Sequence, residues 1–529
     1  MLSRRTLLSL ASAGAASSLL AAPRLARAQD TLTIALGGAV SSIDPHFTNV
    51  VANLMVGAHI FDSLTRFDAE QNLRPALAES WRALDERTWE FKLRAGVSFC
   101  DGSPFGAEDV VATIHRVAWV PNSPSRFTPN TASIVESQIV DPLTIRFVTR
   151  APTPLLPADL SVVQIVSRHC REAPTVEFNA GRAAVGTGPY RLESFTPGER
   201  VELVRNDRYW GPAEPWARVS LRLITNASAR VAALLSGAVD VIDAVPTTQI
   251  ARLREDSRVQ VSSVTSSRLI ALLFDHHREA TPFAFDKATG QPLARNPLRD
   301  PKVRRALTHA INRQALCERV MEGEATPAGQ VLPDGFFGTI PGLGAPRFDP
   351  DAARALLAEA GYPNGFRLTL HGPNDRYVND SQVMQAVAQM WTRVGVETRV
   401  EAITFPVFVT QMSRHEFSAW LVGWAPATGE TSNPLRALVH SFEPDRGLGA
   451  INRGRYSNAP LDALIREASA TIDDERRRSL LQQAGRIVAE DVPIMPLYFE
   501  RSSWAVRRGL RYIPRVDQHT LAMGVRASA

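Results

Sequence analysis

Residues 87–97, RTWEFKLRAGV, alternate apolar and polar side chains. Trp89, Phe91 and Leu93 fall on one face, with charged residues between them on the other. This period of two predicts a half-buried β-strand. The stretch LTIRFVTR at 143–150 repeats the pattern and predicts a second strand.

Helical patterns stand beside these strands. Residues 300–323, DPKVRRALTHAINRQALCERVMEG, begin with Asp300 as N-cap and Pro301 in the first turn, and they end at Gly323. The spacing predicts one helix between these signals, and residues 349–361 repeat the device. At 529 residues the length favours about three domains. The sequence therefore predicts an α/β chain, mixed with α+β elements, in several lobes.

The amino terminus has the anatomy of an export signal. Residues 3–28, SRRTLLSLASAGAASSLLAAPRLARA, combine paired arginines, an apolar run too short to span a bilayer, and a small-residue exit at 26–28. We expect cleavage between Ala28 and Gln29 and a soluble, periplasmic mature protein. SRRTLL resembles a twin-arginine signal, although Leu7 stands where Phe is usual, so the export route stays open between the two pathways.

Charge and motifs exclude several function classes. The formal charge of +5 falls to about +1 when the four arginines of residues 1–28 are removed, and no basic block with interleaved aromatics remains, so no nucleic-acid partner is expected. Nucleotide-binding, hydrolase-elbow and zinc-protease motifs are absent from the sequence. His276 and His277 are adjacent and would point to opposite faces of an extended segment. We expect no catalytic residues, no metal and no cofactor.

The three cysteines allow at most one disulfide. Cys100, Cys170 and Cys317 lie far apart, and no CxxC pair is present. The interpretation favoured here is that all three are small core residues.

One loop has the composition of a ligand-contacting segment. The apolar run FSAWLV at 417–422 predicts a strand that leads into GWAPATGETSN at 423–433. This Gly/Pro-rich loop carries a tryptophan, Trp424, and a single acid, Glu430.

An ordered series of motifs resembles the bacterial family 5 solute-binding proteins, the dipeptide- and oligopeptide-type receptors of ABC importers. The series covers almost the whole chain after residue 40, in the family's order. It comprises SSIDPHF (41–47), HIFDSLTRFD (59–68), LRPALAESWRALDERTWEFKLRAGVSFCDGSPFGAEDV (73–110), GTGPYRL (186–192), RNDRYW (205–210), SGAVD (236–240), VRRALTHAINR (303–313), AGYPNGF (360–366), GWAPATGETSN (423–433) and RYSNAPLD (455–462).

The resemblance implies a two-lobed clamp of the type II periplasmic binding protein kind, with an extra subdomain in lobe I. Lobe I would span 29–272, with the extra subdomain at about 60–180, and would regain 498–529. Lobe II would span 273–497. The implied partners are a small-molecule solute and an inner-membrane ABC permease, and the implied state is a monomer.

The resemblance also places the Gly-Trp loop on the lobe II face of the cleft. Trp424 would form a wall of the pocket. Dipeptide receptors have an Asp three residues later that takes the ligand's ammonium group, and here that position is Ala427. Glu430, further along, either substitutes for it or is an ordinary surface acid.

The carboxylate end of the ligand has a candidate partner in NDRYVND at 374–380. The resemblance assigns the carboxylate-gripping role to Arg376, since guanidinium groups bind carboxylates bidentately. Alternatively, Arg376 pairs with Asp375 or Asp380. Phe405 is either an aromatic wall of the pocket or part of the core.

These residues predict the ligand class. Without an acid at 427, and with Arg376 retained, we expect an organic acid or a carboxylate-bearing, peptide-like ligand whose amine is blocked or displaced. Alternative ligands are a metal chelate, a sugar or an opine-like compound. The alternative function is an exported peptidase or amidase on the same scaffold.

Overall fold

The computed structural model describes residues 31–426 and 428–528. The predicted export signal at 1–28, with its cleavage after Ala28, lies outside the described residues, as does Ala427.

Within those ranges the strands, in chain order, are β1 Thr31–Leu36, β2 Thr65–Phe67, β3 Leu73–Pro75, β4 Ala78–Ala83, β5 Thr88–Leu93, β6 Ile134–Asp141, β7 Thr144–Thr149, β8 Tyr190–Thr196, β9 Arg200–Arg205, β10 Arg218–Leu223, β11 Val241–Ile242, β12 Val259–Phe274, β13 Ala284–Phe285, β14 Ala325–Pro327, β15 Arg367–Pro373, β16 Glu397–Ile403, β17 Ala419–Trp424, β18 Ile494–Arg507, β19 Leu510–Tyr512 and β20 Val525–Ala527.

The α-helices of the same ranges are α1 Val51–Ile60, α2 Ala107–Val117, α3 Thr128–Thr131, α4 Leu156–Asp159, α5 Thr175–Asn179, α6 Ala227–Leu235, α7 Thr247–Glu255, α8 Pro301–His309, α9 Arg313–Ala315, α10 Pro350–Glu359, α11 Asp380–Arg393, α12 Phe405–Ser413, α13 Ser432–Pro434, α14 Ala459–Ala470 and α15 Asp474–Asp491.

Two long strands connect the halves of the molecule. The main sheet has the order β13-β15-β17-β12-β18-β11-β1-β10-β9-β8, with β14 beside β18 and β16 beside β15. β12 and β18 pair along both of their halves, and the register breaks between Thr265 and Leu269 of β12. Separate buried clusters lie on the two sides of this break, one around β1 and β10 and another around β15 and β17. The fold is therefore a mixed α/β clamp of two lobes, as predicted.

The extra subdomain is built on the sheet β4-β5-β7-β6. Its core includes Phe91 and Phe147, whose ring centroids lie 5.6 Å apart. Both strands predicted from alternation are confirmed as β5 and β7. One side chain departs from the pattern: Glu90 is buried because Arg82 of β4 and Arg146 of β7 each approach its carboxylate at 2.8 Å. The lobe and subdomain boundaries given above stay predictions.

The single helix predicted over 300–323 is wrong, because the chain breaks after His309. Asp300 does cap α8, accepting a hydrogen bond from Lys302 N at 2.8 Å. The side chain of Asn312 then caps a new segment by accepting from Ala315 N at 2.9 Å. An Asn side chain competes for backbone amides in this way and ends helices as readily as it begins them. The cap at Asp349 is confirmed by a 3.0 Å hydrogen bond from Ala352 N.

All three cysteines are free. Cys170 and Cys317 are buried and Cys100 is half-buried. Burial raises the pKa of each thiol, and that of Cys317 to about 12. These environments favour unreactive core thiols.

A buried ion pair holds the motif SSIDPHF against the extra subdomain. Arg116 of α2 donates to Asp44 twice, from Nη1 to Oδ1 at 2.8 Å and from Nη2 to Oδ2 at 2.7 Å. Thr175 adds a third hydrogen bond to Asp44 at 2.8 Å. Burial by itself would raise the pKa of Asp44, but Arg116 and His46 hold it below its usual value.

The GTGPY turn at 186–190 crosses α1 at very close range. Gly188 N donates to Ile60 O at 2.9 Å. A Cβ atom on Gly186 would lie 2.0 Å from Ile60 O, which is backbone and cannot move aside as a side chain can. The glycine is therefore required by packing at this crossing.

Gly186→Ala should destabilise the protein by about 1–3 kcal/mol or more, as overpacking typically does. Gly344→Ala is the matched control, since no atom lies within 4 Å of the Cβ that it would add. Thermal unfolding of the two variants measures the difference. Equal melting temperatures would contradict the packing argument.

Candidate ligand-binding site

Three parallel strands of lobe II end at one edge of the sheet. β15 pairs in parallel with β16 and with β17, so their carboxyl ends lie side by side. The chain carries Arg376 just after β15, Phe405 just after β16, and Trp424 at the end of β17. The carboxyl edge of parallel strands is where α/β proteins bind ligands. The structure therefore brings three of the predicted site residues to one edge.

The long strands add two charged residues to this edge. Leu269 of β12 pairs with Trp424 on one side and with Phe499 of β18 on the other. Arg268 and Glu500 are the next residues along and lie at the break between the lobes. Sequence reasoning missed both, since only the strand register places them here.

Arg268 and Glu500 lie close together, but the hydrogen bonds of the Arg268 guanidinium go to Gln518. The Glu500 side chain is buried, and its Oε2 lies 3.4 Å from Arg268 Nε. The guanidinium of Arg268 donates to Gln518 Oε1 from Nε at 3.1 Å and from Nη2 at 2.8 Å. Burial raises the pKa of Glu500, against the opposing effect of Arg268.

The loop that carries Arg376 is held by its two aspartates through backbone amides. Asp375 accepts from Phe405 N at 2.8 Å, and one oxygen of Asp380 accepts from the amides of Arg376 and Tyr377, each at 3.1 Å. Neither carboxylate forms an ion pair with the Arg376 guanidinium, nor does any other acid of the described residues. Arg376 is exposed, and its Cζ lies 5.0 Å from the centre of the Phe405 ring and 5.9 Å from that of Tyr377.

Tyr377 connects this loop to the Gly-Trp loop. Its hydroxyl lies 3.5 Å from Gly423 O, and a Cβ atom on Gly423 would lie 2.5 Å from the Tyr377 ring. Trp424 is half-buried and donates from Nε1 to Asn433 Oδ1 at 3.0 Å. The indole thereby fixes both ends of the loop and leaves part of its ring accessible.

Glu430 points away from this group. It is buried, and its Oε2 lies 3.3 Å from Nε of Arg477 on α15, which is equally buried. Burial raises the pKa of Glu430, and Arg477 opposes that effect. Ala427, at the position where dipeptide receptors carry the amine-binding Asp, lies outside the described residues.

Lobe I contacts the Gly-Trp loop through Gln71. The side chain of Gln71 is buried and donates from Nε2 to Pro426 O at 3.3 Å. The main-chain carbonyl oxygen of Gln71 would lie 2.8 Å from a Cβ atom added at Gly429. Gln71 also has a left-handed backbone with φ of 65°, which no sequence pattern indicated. The loop is therefore enclosed from both lobes.

In residues 31–426 and 428–528, no three His, Cys, Asp or Glu side chains are grouped to hold a metal ion. His276 is half-buried, with its Nε2 3.1 Å from Pro493 O. Across the same ranges, no helix has the length and apolar character that a membrane span requires.

Two lobes joined by long strands, with parallel strands of one lobe ending near the break between them, form the clamp architecture of solute-binding proteins. Residues 72–445 match the profile of the bacterial extracellular solute-binding proteins, family 5. The chain belongs to this family, whose members are solute-binding proteins of ABC importers.

One sequence relative and two solved structures illustrate what this chain is similar to. The glutathione-binding protein GsiB of Salmonella typhimurium is 28% identical over 503 residues, which is 93% of each chain. HbpA2 from Haemophilus parasuis superposes with a TM-score of 0.80 at 23% identity, over 94% of this chain and 100% of that one. DppA from Helicobacter pylori in complex with the peptide STSA superposes with a TM-score of 0.72 at 22% identity, over 94% and 98% of the chains.

Proposed function

We propose that this protein captures a small, carboxylate-bearing, peptide-like solute between its lobes in the periplasm and delivers it, as a monomer, to an inner-membrane ABC permease. The observation that carries the ligand class is the Arg376 guanidinium. It lies at the carboxyl edge of the lobe II strands, beside the ring of Phe405, with no ion-pair partner among the described residues.

The surroundings of Arg376 suit an anionic group. A planar guanidinium offers paired donors that match a carboxylate, and the neighbouring rings of Phe405 and Tyr377 give an apolar wall for the rest of the ligand. Trp424 extends this wall on the next strand. Names of relatives point the same way, since glutathione and the peptide STSA both carry carboxylates.

Native mass spectrometry of the protein purified from a periplasmic extract tests whether a ligand is retained. Calorimetry then measures binding of glutathione, the peptide STSA, their N-acetylated forms, an opine, a neutral sugar and nickel with histidine. We expect binding in the carboxylate-bearing set and none of the sugar. Sugar binding, or turnover of a peptide without stable binding, would contradict the proposal.

A further inference from the structure

Glu500 is a buried acid that the protein itself only half satisfies. Its exposure is 7%, and its Oε1 has no hydrogen-bond partner in the described part of the chain. Leaving a buried carboxylate oxygen without a donor is costly. An unpartnered oxygen at the break between the lobes is therefore a candidate acceptor for a donor that arrives with a ligand.

The neighbouring guanidinium does not supply that donor. Arg268 approaches Glu500 Oε2 at 3.4 Å, while its Nε and Nη2 both donate to Gln518 at 3.1 and 2.8 Å. Gln518 also donates from Nε2 to Ser502 at 2.9 Å, so the arrangement is fixed from the lobe I side. The backbone amide of Val378 also acts on this carboxylate and opposes the rise in its pKa, yet Oε1 has no hydrogen-bond partner in the described part of the chain and is left for another donor.

The other acid considered for the ligand's amine, Glu430, resembles Glu500 in its contacts, because its Oε1 also lacks a hydrogen-bond partner in the described part of the chain; position separates the two acids. Glu430 is paired with Arg477 in the interior of lobe II, at 3.3 Å. Glu500 instead lies at the break between the lobes, on the strand next to the one that pairs with Trp424. Of these two acids, Glu500 is the one at the edge that carries Arg376.

We propose that Glu500 accepts a hydrogen bond from the ligand's ammonium group, so that the site selects zwitterionic solutes whose carboxylate binds Arg376. This inference rests on the proposed function and refines its ligand class. Arg376 offers a positive group and Glu500 a negative one, so a zwitterion places each of its charges beside an opposite one. The ligand's amine would then bind beside β12 and β18, the two strands that connect the lobes, and not beside residue 427.

Calorimetry on two matched pairs of probes tests this: glutathione with N-acetylglutathione, and the peptide STSA with its N-acetylated form. Acetylation removes the ammonium and leaves the carboxylates. Wild-type protein should bind the free amine about 10- to 100-fold more tightly, the range for a hydrogen bond to a charged group. Glu500→Gln, which keeps the shape, should reduce this preference to within about 3-fold. Glu430→Gln is the matched control and should keep it.

Each outcome has one meaning. Equal binding of free and acetylated probes by the wild type overturns the inference and leaves the proposed function standing. So does a preference that survives Glu500→Gln. Because the wild-type comparison needs no variant, a Glu500→Gln protein that fails to fold does not remove the test. If the wild type binds none of the carboxylate-bearing probes, the proposed function and the inference fall together.

Discussion

Arg376→Ala should weaken binding of the carboxylate-bearing ligand by roughly 30- to several-thousand-fold, equivalent to about 2–5 kcal/mol. The reason is that ligand and closed lobes would enclose the guanidinium, and truncation would leave the carboxylate without its partner. Arg376→Lys keeps the charge but loses the paired donors, so its affinity for the ligand should lie between that of the wild type and that of Arg376→Ala. Calorimetry with the tightest ligand of the panel measures all three proteins.

Arg414→Ala is the control for this series. Arg414 is an exposed arginine of the same lobe, 3.9 Å from Glu416, and its loss should leave affinity unchanged. Stability should change little in either alanine variant, because Arg376 forms no ion pair among the described residues. Tight binding that survives Arg376→Ala would show that the carboxylate binds elsewhere.

Arg116→Ala should lower the free energy of unfolding by about 3–5 kcal/mol, since it leaves the Asp44 carboxylate buried without its ion-pair partner. Both side chains are almost fully buried, at 1% and 0% exposure. Denaturant unfolding followed by tryptophan fluorescence measures the change. The effect arises in lobe I, so ligand affinity per folded molecule should be preserved.

Arg74→Ala provides a control from an ion pair with the same shortest distance in an exposed environment. Arg74 lies 2.7 Å from Asp68, as close as Arg116 lies to Asp44, but its side chain is 57% exposed. An exposed pair typically contributes less than about 1 kcal/mol. If both variants lose equal stability, burial is not what makes the Arg116 pair important.

Local signals in the sequence were sufficient for much of the secondary structure. The alternation around Phe91 gave β5, and the Asp-Pro caps gave the starts of α8 and α10. These features succeed because a strand's face and a helix's first turn depend on neighbouring residues. The same reasoning missed the end of α8, where Asn312 begins a new segment through its side chain. Helical spacing alone does not reveal that competition.

The candidate site divides in the same way. The ordered motifs identified the family and drew attention to Arg376, Phe405 and Trp424, and the parallel strands do bring these three to one edge. Sequence left open whether Arg376 pairs with its neighbouring acids. The structure shows those acids bound to backbone amides instead.

The sequence by itself determined the family and the two-lobed fold, and it drew attention to the loops that follow β15, β16 and β17, because these follow from motif order and local pattern. Only the tertiary structure decided which charges meet. Glu430 lies beside Arg477, 47 residues away, and Glu500 lies beside Arg268, 232 residues away. Such partners are set by strand register and by the packing of helices from distant parts of the chain. A shift of one residue in β12 or β18 would turn Arg268 or Glu500 to the opposite face of the sheet.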